Sequence, residues 1–372
     1  MDKSAYHRDT WVEVDLDAIR HNVKTMNHHL KDKEVMAVVK ADAYGHGEIE
    51  VAEAALESGA TRLAVAVLDE GLRLRQKFPD IPILVMGWTD PKYVALAAQH
   101  NITLTTFQSD WIKQASSYLN DEHLNVHLKV DTGMGRIGIR SVEEAYDVIK
   151  ACKHTNIFIT GVFTHFATAD EPGNHYYSQQ IAAFKQWLIQ VKRYLQENIV
   201  IHIGNTAAAM RFPDDMFDAV RFGIGMYGLY PSKFVSENVS LHLKQAFSLY
   251  SRLIHVKRIN KGDAISYGKT YVADQDEWIG TIPIGYGDGW IRKLQNFQVL
   301  IHGKKLPIVG RICMDQCMIR LDHPYEIGTS VTLIGSDQTG VVSMDDVADY
   351  LETINYEIPC ILGKRIPRYY IN

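Results

Sequence analysis

Between residues 35 and 222 a short apolar run followed by a stretch of helical spacing recurs eight times, and this rhythm limits what the chain can fold into. The runs are Val35–Val39, Leu63–Val67, Ile81–Met86, Ile102–Thr106, Leu124–Val130, Ile157–Thr164, Val200–Ile203 and Ala219–Phe222. A strand that is apolar at consecutive positions has both faces in a core, as in parallel sheets covered by helices. Between the sixth and seventh runs, Ile181, Phe184, Leu188, Val191 and Leu195 form one apolar stripe, with Asn174 after Pro172-Gly173 at the N-cap. Eight strand–helix units predict an α/β fold, a closed (β/α)8 barrel of TIM type over roughly residues 16–231. An open doubly wound sheet is the alternative, because a count of units does not fix closure.

After Pro231 the texture changes to alternation: Ala246–Ile259, Trp278–Ile284, Phe297–Ile301, Lys305–Val309, Cys317–Leu321 and Val331–Ile334. Turn signals such as Lys261-Gly262-Asp263 and His302-Gly303-Lys304 separate these segments. A second, mainly β domain over 232–372 follows. Thr10–Val14 also alternates, so residues 1–15 are expected to join it and make it discontinuous.

Composition narrows function by exclusion. A formal net charge of −5 gives no electrostatic case for nucleic acid or an anionic membrane. The start, Met1-Asp2-Lys3-Ser4, has no basic-then-apolar signal segment, and no apolar run has the length of a bilayer span. Four cysteines, Cys152, Cys313, Cys317 and Cys360, are too few and scattered for a disulfide framework, so a reducing cytoplasm is expected. Cys313 and Cys317 lack a second pair, and no His-Glu-x-x-His motif occurs, so no metal is expected.

Barrel chemistry sits at the carboxyl ends of the strands. Those ends carry Lys40, Lys129, Asp131, Arg136, His165, His202, Asn205 and Arg221. A lysine closing an apolar strand loses solvation, which lowers its pKa and frees a neutral amine for imine chemistry. Lys40, after Val35–Val39, is such a lysine; the plainer reading is a stem snorkelling off a strand end. Gly223, Gly225 and Gly228 spell G-x-G-x-x-G. They follow the eighth strand, though, where barrels bind phosphate, not the first strand of a dinucleotide fold.

The segment Ala37-Val-Val-Lys-Ala-Asp-Ala-Tyr-Gly-His-Gly47 resembles the cofactor-attachment signature of the alanine racemase family, with Asp42 where the family usually has Asn. Further motifs fit in the same order along almost the whole chain. They are His127-Leu-Lys-Val-Asp-Thr-Gly-Met-Gly-Arg136, Gly161-Val-Phe-Thr-His165, Arg221-Phe-Gly-Ile-Gly-Met-Tyr-Gly228 and Ser266-Tyr-Gly268. Gly285-Tyr-Gly-Asp-Gly-Trp290, Val309-Gly-Arg-Ile-Cys-Met-Asp-Gln316, Thr353-Ile-Asn-Tyr-Glu357 and Arg365-Ile-Pro-Arg368 complete the set.

The resemblance implies an enzyme interconverting L-alanine and D-alanine through a pyridoxal 5'-phosphate Schiff base on Lys40, the D-alanine serving peptidoglycan. It implies two acid–base groups: Lys40 on one face of the substrate, and on the other Tyr267, reaching in from a second subunit of a homodimer with shared active sites. His165 and Arg221 would activate that phenol. Thr206, Gly223, Ile224 and Tyr356, with Tyr44, would contact the cofactor phosphate, and Asn205 would join the cofactor site. Arg221 would face the pyridine nitrogen, buttressed by His202. Arg136 and the main chain at Met314 would receive a carboxylate or cofactor oxygen, and Tyr286 and Tyr356 would line the entrance. Asp315 would order the partner-derived loop. Lys129 would position Arg136, as a carbamate in many relatives; a Lys129–Asp131 surface pair is the alternative.

Two other functions remain open on sequence: a pyridoxal-phosphate decarboxylase of diamino acids, and a non-catalytic, cofactor-carrying regulatory barrel. Substrate choice among alanine, serine and larger amino acids rests on one or two side chains, each worth about 1–3 kcal/mol.

Overall fold

The computed structural model describes residues 7–372; Met1–Tyr6, part of the segment expected to join the second domain, lie outside the described residues. The chain packs as two compact units. One comprises residues 18–43 and 48–245; the other comprises residues up to 17, then 44–47 and 246–372.

Strand β1 (Thr10–Asp15) precedes the eight barrel strands. These are β2 (Glu34–Val38), β3 (Ala60–Val65), β4 (Ile83–Val85), β5 (Ile102–Thr106), β6 (Leu124–Lys129), β7 (Ile157–Phe163), β8 (Val200–His202) and β9 (Ala219–Phe222). All neighbours pair in parallel in the order β8-β7-β6-β5-β4-β3-β2-β9. A bridge between Gly204 and Val220 brings β8 to β9 and closes the ring, with Arg221 N donating to Gly204 O at 3.0 Å. Asp218 supports the seam: its Oδ2 accepts from Ile201 N at 2.7 Å. The barrel therefore displaces the open-sheet alternative. Burial gives the reason, since Met36, Ala37, Leu63, Ala64, Val220 and Phe222 are all sealed from solvent. Strands apolar on both faces leave no edge for water, and closure removes the two edges an open sheet would keep.

The long helix expected before β8 runs His175–Val191 and buries Ile181, Phe184, Leu188 and Val191. Leu195 falls beyond a 3-10 turn at Lys192–Tyr194, so the stripe ends one turn early. Asn174 stands at the N-cap position without capping; its Oδ1 accepts from the Arg211 guanidinium at 2.8 Å instead. The segment 232–245, expected to open the second domain, packs with the barrel. Asn22 explains this: it donates to Met226 O and Lys244 O and accepts from Lys244 N.

The second unit is built mainly on antiparallel strands: β10 (Phe247–Arg252), β11 (His255–Ile259), β12 (Ala264–Ile265), β13 (Tyr271–Val272), β14 (Glu277–Ile282) and β15 (Gln298–Ile301). They continue with β16 (Lys304–Val309), β17 (Cys317–Leu321), β18 (Ser330–Asp337), β19 (Gly340–Val342) and β20 (Arg368–Ile371). β1 lies between β10, antiparallel, and β20, parallel, so Val12 pairs with both Leu249 and Arg368. The β15–β16 hairpin turns on His302-Gly303, both at positive φ, the geometry whose twist matches that of the flanking strands. Among the described residues no helix is long and apolar enough to cross a membrane.

Candidate active site

Lys40 follows β2 at the carboxyl end of the barrel, and the chain then does something L-residues avoid. Ala41, Asp42, Ala43 and Tyr44 all have φ between 52° and 54°, a complete left-handed turn in which Ala43 N donates to Val39 O at 3.0 Å. Such a conformation costs about 1–2 kcal/mol per residue, so the surroundings must hold it. Two alanines present the smallest Cβ, and Asp is among the few residue types that tolerate it. Asp42 also closes the turn, its Oδ1 accepting from Glu48 N at 3.0 Å. Asn would tolerate the same backbone, which makes the departure at position 42 a mild one.

Arg221 projects from β9 and is 3% exposed. Its guanidinium donates to His202 O at 2.6 Å, Thr164 O at 2.7 Å and Ile203 O at 3.2 Å. It also lies 3.0 Å from His202 Nδ1 and 3.3 Å from His165 Nδ1. A guanidinium only donates, so both Nδ1 atoms are acceptors and both rings carry their proton on Nε2. His202 Nε2 then donates to His127 Nδ1 at 2.8 Å. Burial, reinforced by neighbouring positive charge, pushes all three histidines down, His127 to about 3, so each is a neutral ring at pH 7. Burial and then Arg136 lower Arg221 itself to about 9, which leaves it cationic at neutral pH. His202 stacks on Phe163, with ring centroids 4.8 Å apart and 9° between planes.

The alternative reading, a Lys129–Asp131 surface pair, is not formed among the described residues. Lys129 is 2% exposed; its Nζ donates to Val130 O at 2.8 Å and lies 5.5 Å from the Phe163 ring centre. Burial, with Arg221 adding to it, brings its amine down to about 7. Asp131 instead folds its own loop, accepting from Gly133 N and Gly135 N. Arg136 is exposed on that loop and lines a 660 Å³ cleft with Trp88, Phe107, Trp111 and Glu144.

After β8, Asn205 caps the helix Thr206–Arg211 through Ala208 N at 3.0 Å, and its amide reaches Phe166 O at 3.4 Å. Thr206 Oγ1 accepts from Gly223 N at 3.0 Å, tying the loop after β8 to the turn after β9. The turn continues through Ile224, which is buried. At Gly225 a Cβ would meet Phe222, Met210 and Thr206 at 2.5–2.8 Å, so only glycine fits there. Around His165, the charges of Arg221, Arg136, Lys129 and Lys40 add in one direction. This mouth is electropositive, and its chemistry suits a ligand bearing phosphate and carboxylate.

In the second unit Tyr267 is 71% exposed, and its hydroxyl makes no hydrogen bond among the described residues. Its loop is strained: Ser266 has φ 65° and Lys269 φ 46°. Ser266 Oγ anchors it, donating to Arg311 O at 2.6 Å. Tyr267 borders a 710 Å³ hollow with Ile254, His255, Cys313 and Gln316. Tyr286 N and Gly287 N donate to Cys313 O and Met314 O, so two of the sequence motifs form one double loop. At its centre lies Asp288, fully buried, which takes both Arg8 nitrogens at 2.8 and 3.0 Å. Asp315 pairs with Arg365 at 2.8 Å. Tyr44 and Tyr356 rings lie 6.3 Å apart, and burial raises the Tyr44 phenol.

Two residues escaped the sequence reading. His127 sat inside a quoted motif but had no role until its bond to His202 was seen. Glu70 had no signal at all: it receives Ala41 N, beside Lys40, at 2.7 Å.

The chain matches the family model described as alanine racemase, N-terminal domain, over residues 14–231 and its C-terminal domain over 246–370. It is 54% identical to an alanine racemase of Anoxybacillus flavithermus, covering 99% of this chain and 96% of that one. A crystal structure of alanine racemase from Bacillus anthracis with bound L-Ala-P superposes with a TM-score of 0.96 at 45% identity, over 99% and 96% of the two chains. A histidine racemase from Leuconostoc mesenteroides also superposes, with a TM-score of 0.91 at 35% identity over 98% and 99%.

Proposed function

The chain belongs to the alanine racemase family, and from that premise we propose that it interconverts L-alanine and D-alanine on pyridoxal phosphate carried by Lys40. The observation that supports the reading most is the mouth itself: a lysine on a strained turn among cations, with three neutral histidines behind an arginine. The donor set fits the cofactor. Lys40 would hold it covalently; Thr206, Gly223, Ile224, Tyr356 and Tyr44 would hold its phosphate, with His165, Asn205 and Arg221 around the ring and His202 completing the site as the buttress of Arg221. When bound, the group supplies an electron sink that acidifies the Cα–H of an amino acid.

The residues of the chain do the rest. Once the substrate amine has replaced it on the cofactor, Lys40 Nζ would take or return the Cα proton on one face, and Tyr267 of a second subunit would serve the other. An exposed phenol on a strained loop, without an acceptor among the described residues, suits a group that works elsewhere. Arg221 keeps its proton, because every N–H direction it uses is already fixed by a carbonyl or a neutral ring. It can therefore orient the cofactor without acting as an acid. Arg136 and the Met314 main chain would hold the substrate carboxylate, and Tyr286 and Tyr356 would limit side-chain size. Asp315 would steady the second subunit's loop through Arg365.

The histidine racemase neighbour shows that this fold accepts a larger side chain in another protein, so the assay must include larger amino acids. Cofactor-loaded protein incubated with L-alanine in heavy water is expected to yield D-alanine carrying deuterium at Cα, and Lys40→Ala none. Unchanged, undeuterated alanine beside racemised serine or histidine would replace the substrate. Carbon dioxide from diamino acids would replace the reaction.

A further inference from the structure

We propose that Glu70 is a positioning residue for Lys40, a proposal that rests on Lys40 being the cofactor lysine. Glu70 is the third residue of the helix Leu68–Lys77, which follows β3, and it is 8% exposed. Its two carboxylate oxygens do different things. Oε2 accepts from Ala66 N at 2.8 Å and Val67 N at 3.2 Å, which caps the entry to its own helix. Oε1 turns away from the helix and accepts from Ala41 N at 2.7 Å. Capping requires only the first oxygen. The second joins the ends of two neighbouring strands, β2 and β3.

The Ala41 N–H belongs to the same rigid peptide plane as the Lys40 carbonyl. Anchoring that plane fixes ψ of Lys40, and with it the direction in which the side chain leaves the strand. The same anchored residue, Ala41, opens the run of positive φ. Freed from Glu70, the run can relax toward right-handed backbone and swing Lys40 with it. The other end of the segment is gripped from the same helix. Asp42 holds Glu48 N, and the Glu48 carboxylate takes Arg73 Nε at 2.5 Å and Nη2 at 3.0 Å. Arg73 lies one turn beyond Glu70. Helix Leu68–Lys77 thus clamps the cofactor lysine's turn at its start and just past its end.

The test compares holoenzyme carrying Glu70→Gln and Glu70→Asp with the unaltered protein. Gln keeps one acceptor oxygen and turns an N–H group toward other donors; Asp keeps the charge but is too short to reach both partners. Borohydride reduction and peptide mapping first locate the cofactor. With it on Lys40, both variants are expected to lose about 10–100-fold in kcat, the cost of displacing a reacting group by about an ångström. KM for alanine should stay within about twofold, since substrate contacts are untouched. Hydrogen exchange should speed up at residues 41–43 and not across the barrel. Wild-type kcat and exchange in both variants would overturn the proposal. So would exchange rising throughout the barrel in step with lost activity, because Glu70 would then only stabilise its helix. A cofactor mapped to another lysine would overturn the functional reading as well; mapping to Lys40 with inert Glu70 variants would overturn this inference alone.

Discussion

Arg221, in the barrel, is 3% exposed and donates to three carbonyls and two ring nitrogens, whereas Tyr267, in the β unit, is 71% exposed with its hydroxyl unbonded among the described residues. Both belong to the proposed site, yet the chain treats them oppositely. The barrel residues are locked by their own fold: Arg221 cannot move without breaking His202, and His202 cannot turn without breaking His127. The β-unit residues are presented on strained or stitched loops whose backbones are fixed while their side chains face out. A group locked in place serves chemistry in its own subunit; a group offered outward suits chemistry completed by another. This contrast makes definite, different predictions for the two regions.

The largest expected effect comes from Tyr267. Tyr267→Phe should reduce kcat about 10²–10⁴-fold, the range for loss of one acid–base group. Its thermal midpoint should be unchanged, because an exposed phenol that makes no hydrogen bond among the described residues contributes little to folding. Mixing the Tyr267→Phe and Lys40→Ala proteins after dissociation sharpens the contrast. A shared site requires activity to reappear in the hybrid, where one intact Lys40 meets one intact Tyr267. A mixture as inactive as its parents would place both groups in one chain and erase the difference between the two regions.

Arg221→Lys should do the reverse of Tyr267→Phe and harm folding and activity together. An ammonium has three donors and no fork, so at least one of the acceptors it leaves behind is buried and unsatisfied. Each such group costs about 1–3 kcal/mol, and urea unfolding should register a loss of that size. Unaltered stability would mean that the barrel network is as loosely held as the outward-facing loops.

The barrel was legible in the sequence because doubly buried strands announce themselves as unbroken apolar runs, and helices between them by their spacing. The proposed chemistry was suggested where a motif names it, as at Lys40, Arg221 and Tyr267. What stayed hidden were devices with no local signature. Glu70 caps a helix whose N-cap is Val67, so the usual Ser/Thr-to-Glu pattern is missing. The left-handed turn runs through two alanines and a tyrosine, which carry no positive-φ signal, with Asp42 alone among them tolerant of it. Asn174 looked like a cap but was claimed by Arg211, a residue far along the chain. The unit boundary at 245/246 lies past the visible change in texture, because Asn22 holds the Lys244 backbone. The last two depend on contacts distant in sequence, which no window of residues contains.

Lys129 provides the finest test of the barrel's closed interior. Its amine sits at about 7 when folded against about 10.4 unfolded, since burial disfavours the ammonium. Below pH 7 both states are protonated and the penalty of burying charge is fully present. Between about pH 7 and 10.4 only the unfolded state holds the proton, so stability should rise with pH, by at most about 1.4 kcal/mol per unit. Lys129→Met should lack that rise, and the difference between the two unfolding curves isolates it from other titrating groups. A neutral buried amine also reacts with carbon dioxide, the nitrogen forming a bond to carbon while a proton is released. Bicarbonate should then abolish the rise in the unaltered protein, because a carbamate no longer titrates there, and ¹³C-labelled bicarbonate should give a signal absent from Lys129→Met. A rise that persists in bicarbonate, with no labelled signal, would leave Lys129 as a free amine whose contact is the Val130 carbonyl. The positioning of Arg136 would then owe nothing to a carbamate.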